Sequence, residues 1–157
     1  MARRLLPIVQ PGNVLREYLP EEATKLSAAW LEAYGANRHG VNAKAYMWHV
    51  FSGARYPSVA GDEAIREYLQ QRAAKYVVLS NDRRFALDTD LLPEQSSLAD
   101  YYVFPKNLAW TMAFTHEDGW LGPYFARHRN FAALDEENRA NVEKARQAEV
   151  ARKRGWR

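Results

Sequence analysis

The 157-residue chain contains no cysteine. This absence excludes disulfide bonds, thiolate metal sites and cysteine nucleophiles, and it is typical of proteins that work in a reducing compartment. The sequence also lacks any apolar run near the ~18 residues that a membrane-spanning helix needs. The apolar run that follows Arg3 and Arg4 stops at Pro7, which leaves no hydrophobic region of signal-peptide length. We therefore predict a cytoplasmic protein that does not enter a membrane.

Sequence motifs for nucleotide binding and for acyl transfer are absent as well. The chain contains no Gly-x-Gly-x-x-Gly, no P-loop and no Gly-x-Ser-x-Gly elbow. His116 and Glu117 begin like a His-Glu-x-x-His zinc motif, but Trp120 occupies the position of the second histidine. The sequence therefore predicts neither a bound metal nor a cofactor.

Excess positive charge is missing from most of the chain and is concentrated at its end. The net charge is +3, yet residues 138–157 hold seven Lys/Arg and two Asp/Glu, so the remainder has a net charge of −2. A nucleic-acid-binding domain would carry its basic residues more evenly over one face. The basic segment could bind nucleic acid or another anionic partner, but its other residues are mainly alanine, and a solvated helix face is the simpler interpretation.

Apolar residues at helical spacing predict one helix over residues 20–34 and a second helix over about residues 61–73. Pro20 suits the first position of a helix, and Gly35 suits its end. Residues 43–51 contain a run of bulky apolar side chains that fits either the end of a helix or a buried strand.

Strands are predicted from alternation of residue types in the second half of the chain. From residue 108 to residue 116, large side chains alternate with small or polar ones, and a period of two is typical of a strand. We expect Trp110, Met112 and Phe114 to face the core from this strand. Further strands are predicted near residues 76–79, 85–87, 101–104 and 122–127.

Helices followed by a run of strands and a final helix predict an α+β fold. We expect an antiparallel sheet of four to five strands, packed on one face by two N-terminal helices that close a single core. Residues 1–134 would form this domain. Residues 135–157 would form a basic C-terminal helix that buries little apolar surface.

His116, Glu117 and Asp118 are three consecutive residues with side chains that can bind protons or metal ions. They could supply an acid/base group or an oxygen-and-nitrogen metal site. The alternative is that His116 ends a strand and that residues 117–119 form a turn. His49 is a further candidate for acid/base chemistry, and a hydrogen-bonded position in the core is its alternative.

Residues 119–125 are rich in aromatic side chains and could form a surface for a protein partner. Trp, Tyr and Arg dominate the energetically important positions of protein interfaces. We therefore predict Trp120, Tyr124 and Arg127 as contacts to a partner. The alternative is that two of the aromatic residues close the core of the sheet.

Several short stretches share a pattern with one known family: Trp48-His49-Val50-Phe51-Ser52, Glu63-Ala64, Trp110-Thr111, Thr115-His116-Glu117-Asp118 and Gly122-Pro123-Tyr124-Phe125. Together they resemble the family catalogued as domain of unknown function 4275, over residues 20–127. The resemblance implies a compact α+β protein of the bacterial cytosol, and it carries no established catalytic residues. The helix after Asp135 departs from the family pattern.

These observations favour a non-catalytic protein-binding domain, of the immunity type that inhibits a bacterial toxin. The size of the chain, its aromatic content of 13% and the absence of a complete catalytic motif support this prediction. The toxin itself is suggested by analogy with other small families. One alternative is a small enzyme that uses His49 and the cluster at 116–118. The other is a nucleic-acid-associated protein that uses the basic segment.

Overall fold

The computed structural model describes residues 9–117 and 120–155. Its helices are α1 (Pro20–Tyr34), α2 (His49–Ser52), α3 (Gly61–Leu69) and α4 (Phe131–Lys153). Its strands are β1 (Val9–Gln10), β2 (Val14–Glu17), β3 (Val59–Ala60), β4 (Tyr76–Ser80), β5 (Ala86–Thr89), β6 (Gln95–Ser96), β7 (Tyr101–Phe104), β8 (Trp110–Phe114) and β9 (Tyr124–Arg127). Within the described residues, no helix has the length and apolarity that crossing a membrane requires.

In the described part of the chain, the main sheet has seven strands in the order β2-β5-β4-β7-β8-β9-β3, and every neighbouring pair is antiparallel. β1 and β6 form a separate antiparallel pair. The α+β class is confirmed, but the prediction of four to five strands was too low. The strands of this sheet that the sequence analysis did not predict are its edges, β2 and β3, which contain four and two residues. Such short edges carry no alternation long enough to read from sequence.

Helices cover both faces of the sheet, whereas the sequence predicts two N-terminal helices on one face. On the first face, α1 and residues 43–56, which include α2, pack against the sheet around Trp30, Trp48 and Tyr102. On the second face, α3 and the start of α4 pack around Trp110 and Met112. The chain changes faces at β3, which pairs with β9 at the sheet edge immediately before α3 begins.

The alternation along β8 predicts its two faces correctly. Trp110 and Met112 point to the second face and are fully buried, and Phe114 is half-buried on the same side. Thr111 and Ala113 point to the first face, where they are equally buried because the helices cover that face too. The indole Nε1 of Trp30 donates a hydrogen bond of 2.9 Å to Thr111 Oγ1. A strand with both faces covered therefore still alternates, here between large and small side chains.

Helix α1 has the bounds that the sequence predicts, because local signals define both of its ends. Pro20 is its first residue, and the Glu22 side chain accepts a hydrogen bond of 3.0 Å from the backbone N–H of Leu19. Glu22 also pairs with Arg16 of β2 at 2.6 Å. This contact ties the beginning of the helix to an edge strand whose pairing with β5 is irregular between residues 14 and 16.

Helix α4 begins at Phe131, four residues before the predicted start at Asp135. Its first turns belong to the second core, because Phe131 and Leu134 pack there and the buried Asn138 donates a hydrogen bond of 3.2 Å to Asn107 Oδ1. Beyond residue 142 nearly every side chain of the helix is exposed. The proposed boundary between residues 134 and 135 thus lies inside a helix, and the independence of the tail stays a prediction.

Candidate functional site

The turn after β8 places His116 beside a carboxylate that the sequence analysis did not single out, Asp100. β7 and β8 pair with Tyr101 opposite Phe114, so the residues just outside this pair meet at the same end of the sheet. The Nδ1 atom of His116 lies 3.0 Å from both carboxylate oxygens of Asp100. The backbone N–H of His116 donates to Oδ1 of the same carboxylate at 3.1 Å.

Besides the two donors of His116, a third hydrogen-bond donor holds the Asp100 carboxylate in place. Asp100 in turn fixes the direction of the His116 ring. Trp48 Nε1 donates to Asp100 Oδ1 at 3.0 Å, and the Asp100 side chain is only 11% exposed. Because Nδ1 of His116 faces this carboxylate, Nδ1 carries a proton, and Nε2 points toward Glu117 Oε1 at 3.5 Å. The hydrogen bond to Asp100, together with the charges of Asp100 and Glu117, raises the pKa of His116 above its ordinary value.

Aromatic rings bring His49 into the same neighbourhood. The ring of Tyr46 lies 5.1 Å from that of His116 and 5.7 Å from that of His49, between ring centroids. His49 stacks on Trp48 at 4.5 Å with an interplanar angle of 11°. We refer to Tyr46, Trp48, His49, His116 and Asp100 as the histidine cluster. It unites two of the sequence-predicted candidates that are 67 residues apart in the chain.

The loop that carries this cluster is tied to the sheet by hydrogen bonds. Asn81 Nδ2 donates to Ala45 O at 2.7 Å, and the backbone N–H of Met47 donates to Asn81 Oδ1 at 3.2 Å. The hydroxyl of Tyr102 accepts from the backbone N–H of Trp48 at 3.0 Å and donates to Asn81 Oδ1 at 2.6 Å. Asn81 and Tyr102 therefore fix the position of the cluster without belonging to its surface.

The cluster has the parts of a proton-transfer site but lacks a nucleophile. A carboxylate that orients Nδ1 leaves Nε2 free to accept or donate a proton. No Ser or Thr hydroxyl in the described ranges hydrogen-bonds to the His116 ring, and these ranges contain no group of three His, Asp or Glu side chains placed to hold a metal. Asp118, the remaining candidate of the sequence analysis, lies outside the described residues.

Trp120 follows the cluster on the same turn and is the most exposed large apolar side chain that the structure describes, at 84%. The backbone N–H groups of Trp120 and Leu121 both donate to the carbonyl oxygen of Glu117, at 3.0 and 2.8 Å. Leu121 packs against the first core. The indole is therefore presented to solvent next to Leu121, which anchors the chain in the first core.

The other two predicted partner contacts lie elsewhere. Tyr124 is only 7% exposed and packs in the first core, with its ring 6.1 Å from that of Trp48. Arg127 points to the opposite face of the sheet, where it pairs with Glu67 at 2.7 Å. Because positions 124 and 127 of a strand point to opposite faces, the two residues cannot share one surface with Trp120.

Asp100 and the supporting residues escaped the sequence analysis because their roles depend on strand pairing. One signal could have revealed Asp100: it directly precedes the predicted strand at 101–104, and an antiparallel partner over residues 109–116 would place it opposite the 115–116 end. No comparable local signal marks Asn81 or Tyr102.

Comparisons with known proteins identify one relationship. Neither the curated proteins nor the solved structures that we searched contain a match to this chain. The model of the family described as Domain of unknown function (DUF4275) matches residues 27–125. This range covers more than half of the chain, includes the whole histidine cluster and ends before α4. The chain is therefore a member of the family Domain of unknown function (DUF4275).

Proposed function

We propose that this chain is a non-catalytic protein-binding domain of the bacterial cytoplasm, of the immunity type that occludes a toxin. The observation that supports the proposal is the exposed indole of Trp120, whose backbone N–H donates to Glu117 O beside the histidine cluster. A Trp that is 84% exposed leaves a large apolar area in water, and burial against a partner would recover about 25 cal/mol per Å² of it.

The surroundings of Trp120 suit a protein interface. The backbone N–H groups of Trp120 and Leu121 are already hydrogen-bonded to Glu117 O, so these two residues have less backbone freedom to lose on association. His116 and Tyr46 add polar groups on aromatic rings, a combination that is typical of interface hot spots. The contact surface would thus consist of one apolar anchor with hydrogen-bonding neighbours.

The size and the net charge of this chain suggest what kind of partner it binds. Small single domains without a complete catalytic motif include immunity proteins, and this analogy suggests a toxin. The chain outside residues 138–157 has a net charge of only −2, which is too weak for the steering that pairs acidic inhibitors with basic nucleases. We therefore expect a toxin whose contact surface is apolar and not strongly basic.

The experiment is co-expression of this chain with the product of the gene next to its own, scored by cell growth and by affinity between the purified proteins. Trp120→Ala should weaken binding by about 30-fold or more, as for a hot-spot residue. Its melting temperature should stay unchanged because the side chain is exposed. Leu91→Ala, at a position 52% exposed, is the matched control and should bind like the wild type.

Equal binding by the wild type and Trp120→Ala would contradict the proposed surface. Failure of the wild type to protect cells from any adjacent gene product that is toxic by itself would contradict the immunity role.

A second candidate function is a small hydrolase in which His116 acts as general base. The observation that favours it is the orientation of His116 Nδ1 toward both oxygens of Asp100 at 3.0 Å. The two functions separate in one experiment, a screen of ester, amide and phosphoester substrates. An activity that is lost in His116→Gln and in Asp100→Asn but kept in Trp120→Ala would establish the enzyme.

A further inference from the structure

The second face of the sheet contains an open groove that is separate from the histidine cluster. It lies between α3 and residues 94–99, and its volume is about 510 Å³, within the range of small-molecule sites. Aromatic rings form its floor and aliphatic side chains form its walls: Tyr68, Tyr101, Phe114, Ile65, Leu69 and Leu98. Ile65 and Leu69 are 38% and 45% exposed, so these walls are in contact with water.

Tyr101 provides an unused hydrogen-bond donor in this groove. Its side chain is only 5% exposed, and its hydroxyl makes no hydrogen bond to any residue in the described ranges. Burial raises the pKa of Tyr101 to about 12, so the hydroxyl keeps its proton at neutral pH. The other tyrosines of this face are engaged: the hydroxyl of Tyr68 donates to Pro93 O, and that of Tyr76 accepts from the backbone N–H of Ala73. The Tyr101 hydroxyl is therefore available as a donor to a molecule that occupies the groove.

Glu94 places a negative charge at the rim. Its side chain is exposed and forms no ion pair with the part of the chain that the structure describes. Its backbone N–H donates to Gln10 O at 2.7 Å, which fixes the position of the residue beside the groove. Among the residues that line the groove, Glu94 is the one with a formal charge. A carboxylate at the rim of an apolar groove favours a cationic ligand.

We propose that this groove binds a small aromatic amine that also carries a hydrogen-bond acceptor. The aromatic ring would lie between the aliphatic walls and the rings of Tyr101 and Phe114. The acceptor would take the Tyr101 hydroxyl proton in a hydrogen bond, and the ammonium group would face Glu94. Such a ligand matches the apolar floor of the groove, the hydroxyl donor of Tyr101 and the negative charge of Glu94.

The test is a titration of the ¹⁵N-labelled full chain with three probes of nearly the same shape. Tyramine has the ring, the acceptor oxygen and the ammonium group; 2-phenylethylamine lacks the acceptor, and 3-(4-hydroxyphenyl)propionate reverses the charge. Tyramine should shift the amide signals of Leu98, Tyr101 and Phe114 with a Kd on the order of 1 mM, as expected for so small a ligand. The propionate should bind at least several-fold more weakly.

Two variants assign the recognition to its residues. Tyr101→Phe removes a hydroxyl that bonds to nothing in the described chain, so the fold should persist. Tyramine affinity should fall about 3- to 10-fold, while 2-phenylethylamine affinity stays constant. Glu94→Gln, at an exposed position, should abolish the preference for tyramine over the propionate.

Three outcomes would overturn the proposal. The first is the absence of shifts in the groove at saturating tyramine. The second is equal losses for both amines in Tyr101→Phe, which would mean that the hydroxyl plays no part in recognition. The third is binding that occurs only after removal of residues 1–8, because the groove would then not be open to a ligand in the full chain.

Discussion

The two faces of the sheet differ in how their buried aromatic side chains are held. On the first face, the indole N–H groups of Trp30 and Trp48 donate to Thr111 Oγ1 and Asp100 Oδ1, at 2.9 and 3.0 Å. On the second face, Trp110 is fully buried, and its Nε1 has no hydrogen-bond partner in the described residues. The hydroxyl of Tyr101, on the same face, makes no hydrogen bond to a residue that the structure describes.

This difference shows where directional bonds determine position and where apolar contact is sufficient. Satisfied polar groups inside a core fix side chains in one arrangement, and the first face uses them to support the histidine cluster. On the second face the hydrogen bonds of Tyr68 and Tyr76 lie at the margin, and Trp110 and Tyr101 are held by ring contacts, such as that of Tyr101 with Phe114 at 4.6 Å between centroids. The groove lies next to these rings.

The largest expected effect is the loss of a buried indole from either face. Trp110→Ala and Trp30→Ala should each lower the free energy of unfolding by about 3–5 kcal/mol, because both side chains have no exposed surface. Denaturant titration measures the change. A loss below about 1 kcal/mol for Trp110→Ala would contradict the full burial of this side chain in the second core.

A pair of milder substitutions tests the comparison itself. Trp30→Phe leaves Thr111 Oγ1 without its donor, whereas Trp110→Phe removes an N–H group that has no partner. Trp30→Phe should therefore cost about 1–2 kcal/mol more than Trp110→Phe, in the same denaturant assay. Equal costs would mean that the two indoles are equally satisfied in solution and that the contrast between the faces is not energetic.

Truncation of α4 shows how much of this helix contributes to the stability of the second core. A chain that ends at Val142 keeps the hydrogen bond from Asn138 to Asn107, and its melting temperature should fall only slightly. A chain that ends at Glu137 loses this bond and should be about 1 kcal/mol less stable than the first truncation. Unfolding of the chain that ends at Val142 would show that the exposed part of the helix, after residue 142, belongs to the core.

The same truncations test binding by the basic segment. Several of its arginines already pair along the helix, as Arg146 does with Glu143 at 2.6 Å. These exposed pairs reduce the charge available to an anionic partner. Nucleic-acid binding that disappears in the chain ending at Val142 and weakens steeply with salt would nevertheless establish that role.

The smallest expected effect concerns His116 and pH. Its pKa is raised in the folded protein by the hydrogen bond to Asp100, so its stabilising contribution is complete below the unfolded pKa of about 6.5 and is lost as pH rises through the folded value. The destabilisation by His116→Gln should therefore be larger at about pH 5.5 than at about pH 9. Thermal melts of the two proteins at both pH values measure it, and a difference that grows toward high pH would contradict the assigned partners.

Local sequence signals account for the parts of the fold that could be predicted. Helix α1 carries its start signal and its apolar stripe within fifteen residues and its stop signal at the next residue, Gly35, and β8 carries its alternation within five. The position of α3 on the second face depends instead on the pairing of β3, a strand of two residues. A strand of this length has no period, so sequence cannot indicate where the chain changes faces.

The candidate site, too, could be predicted only in part from the sequence. His116, Glu117 and His49 could be chosen because their chemistry is visible in the sequence. The contact between His49 and His116 through Tyr46 could not, because it joins a loop on the first face to the end of a strand pair. Tyr124 was chosen for its chemistry alone, and its burial follows from the pairing of β9 with β8.

The irregularity in β2 has a consequence for the protein at high concentration. An exposed edge strand offers its backbone N–H and C=O groups to another molecule, and a sheet can grow by this route into an aggregate. In β2 the run of pairing is interrupted between Val14 and Arg16, and the Arg16 guanidinium lies 4.3 Å from the centre of the Tyr18 ring. A second sheet that approached this edge would meet an irregular strand and would have to desolvate the exposed charge of Arg16, so the edge that completes the sheet also disfavours its extension.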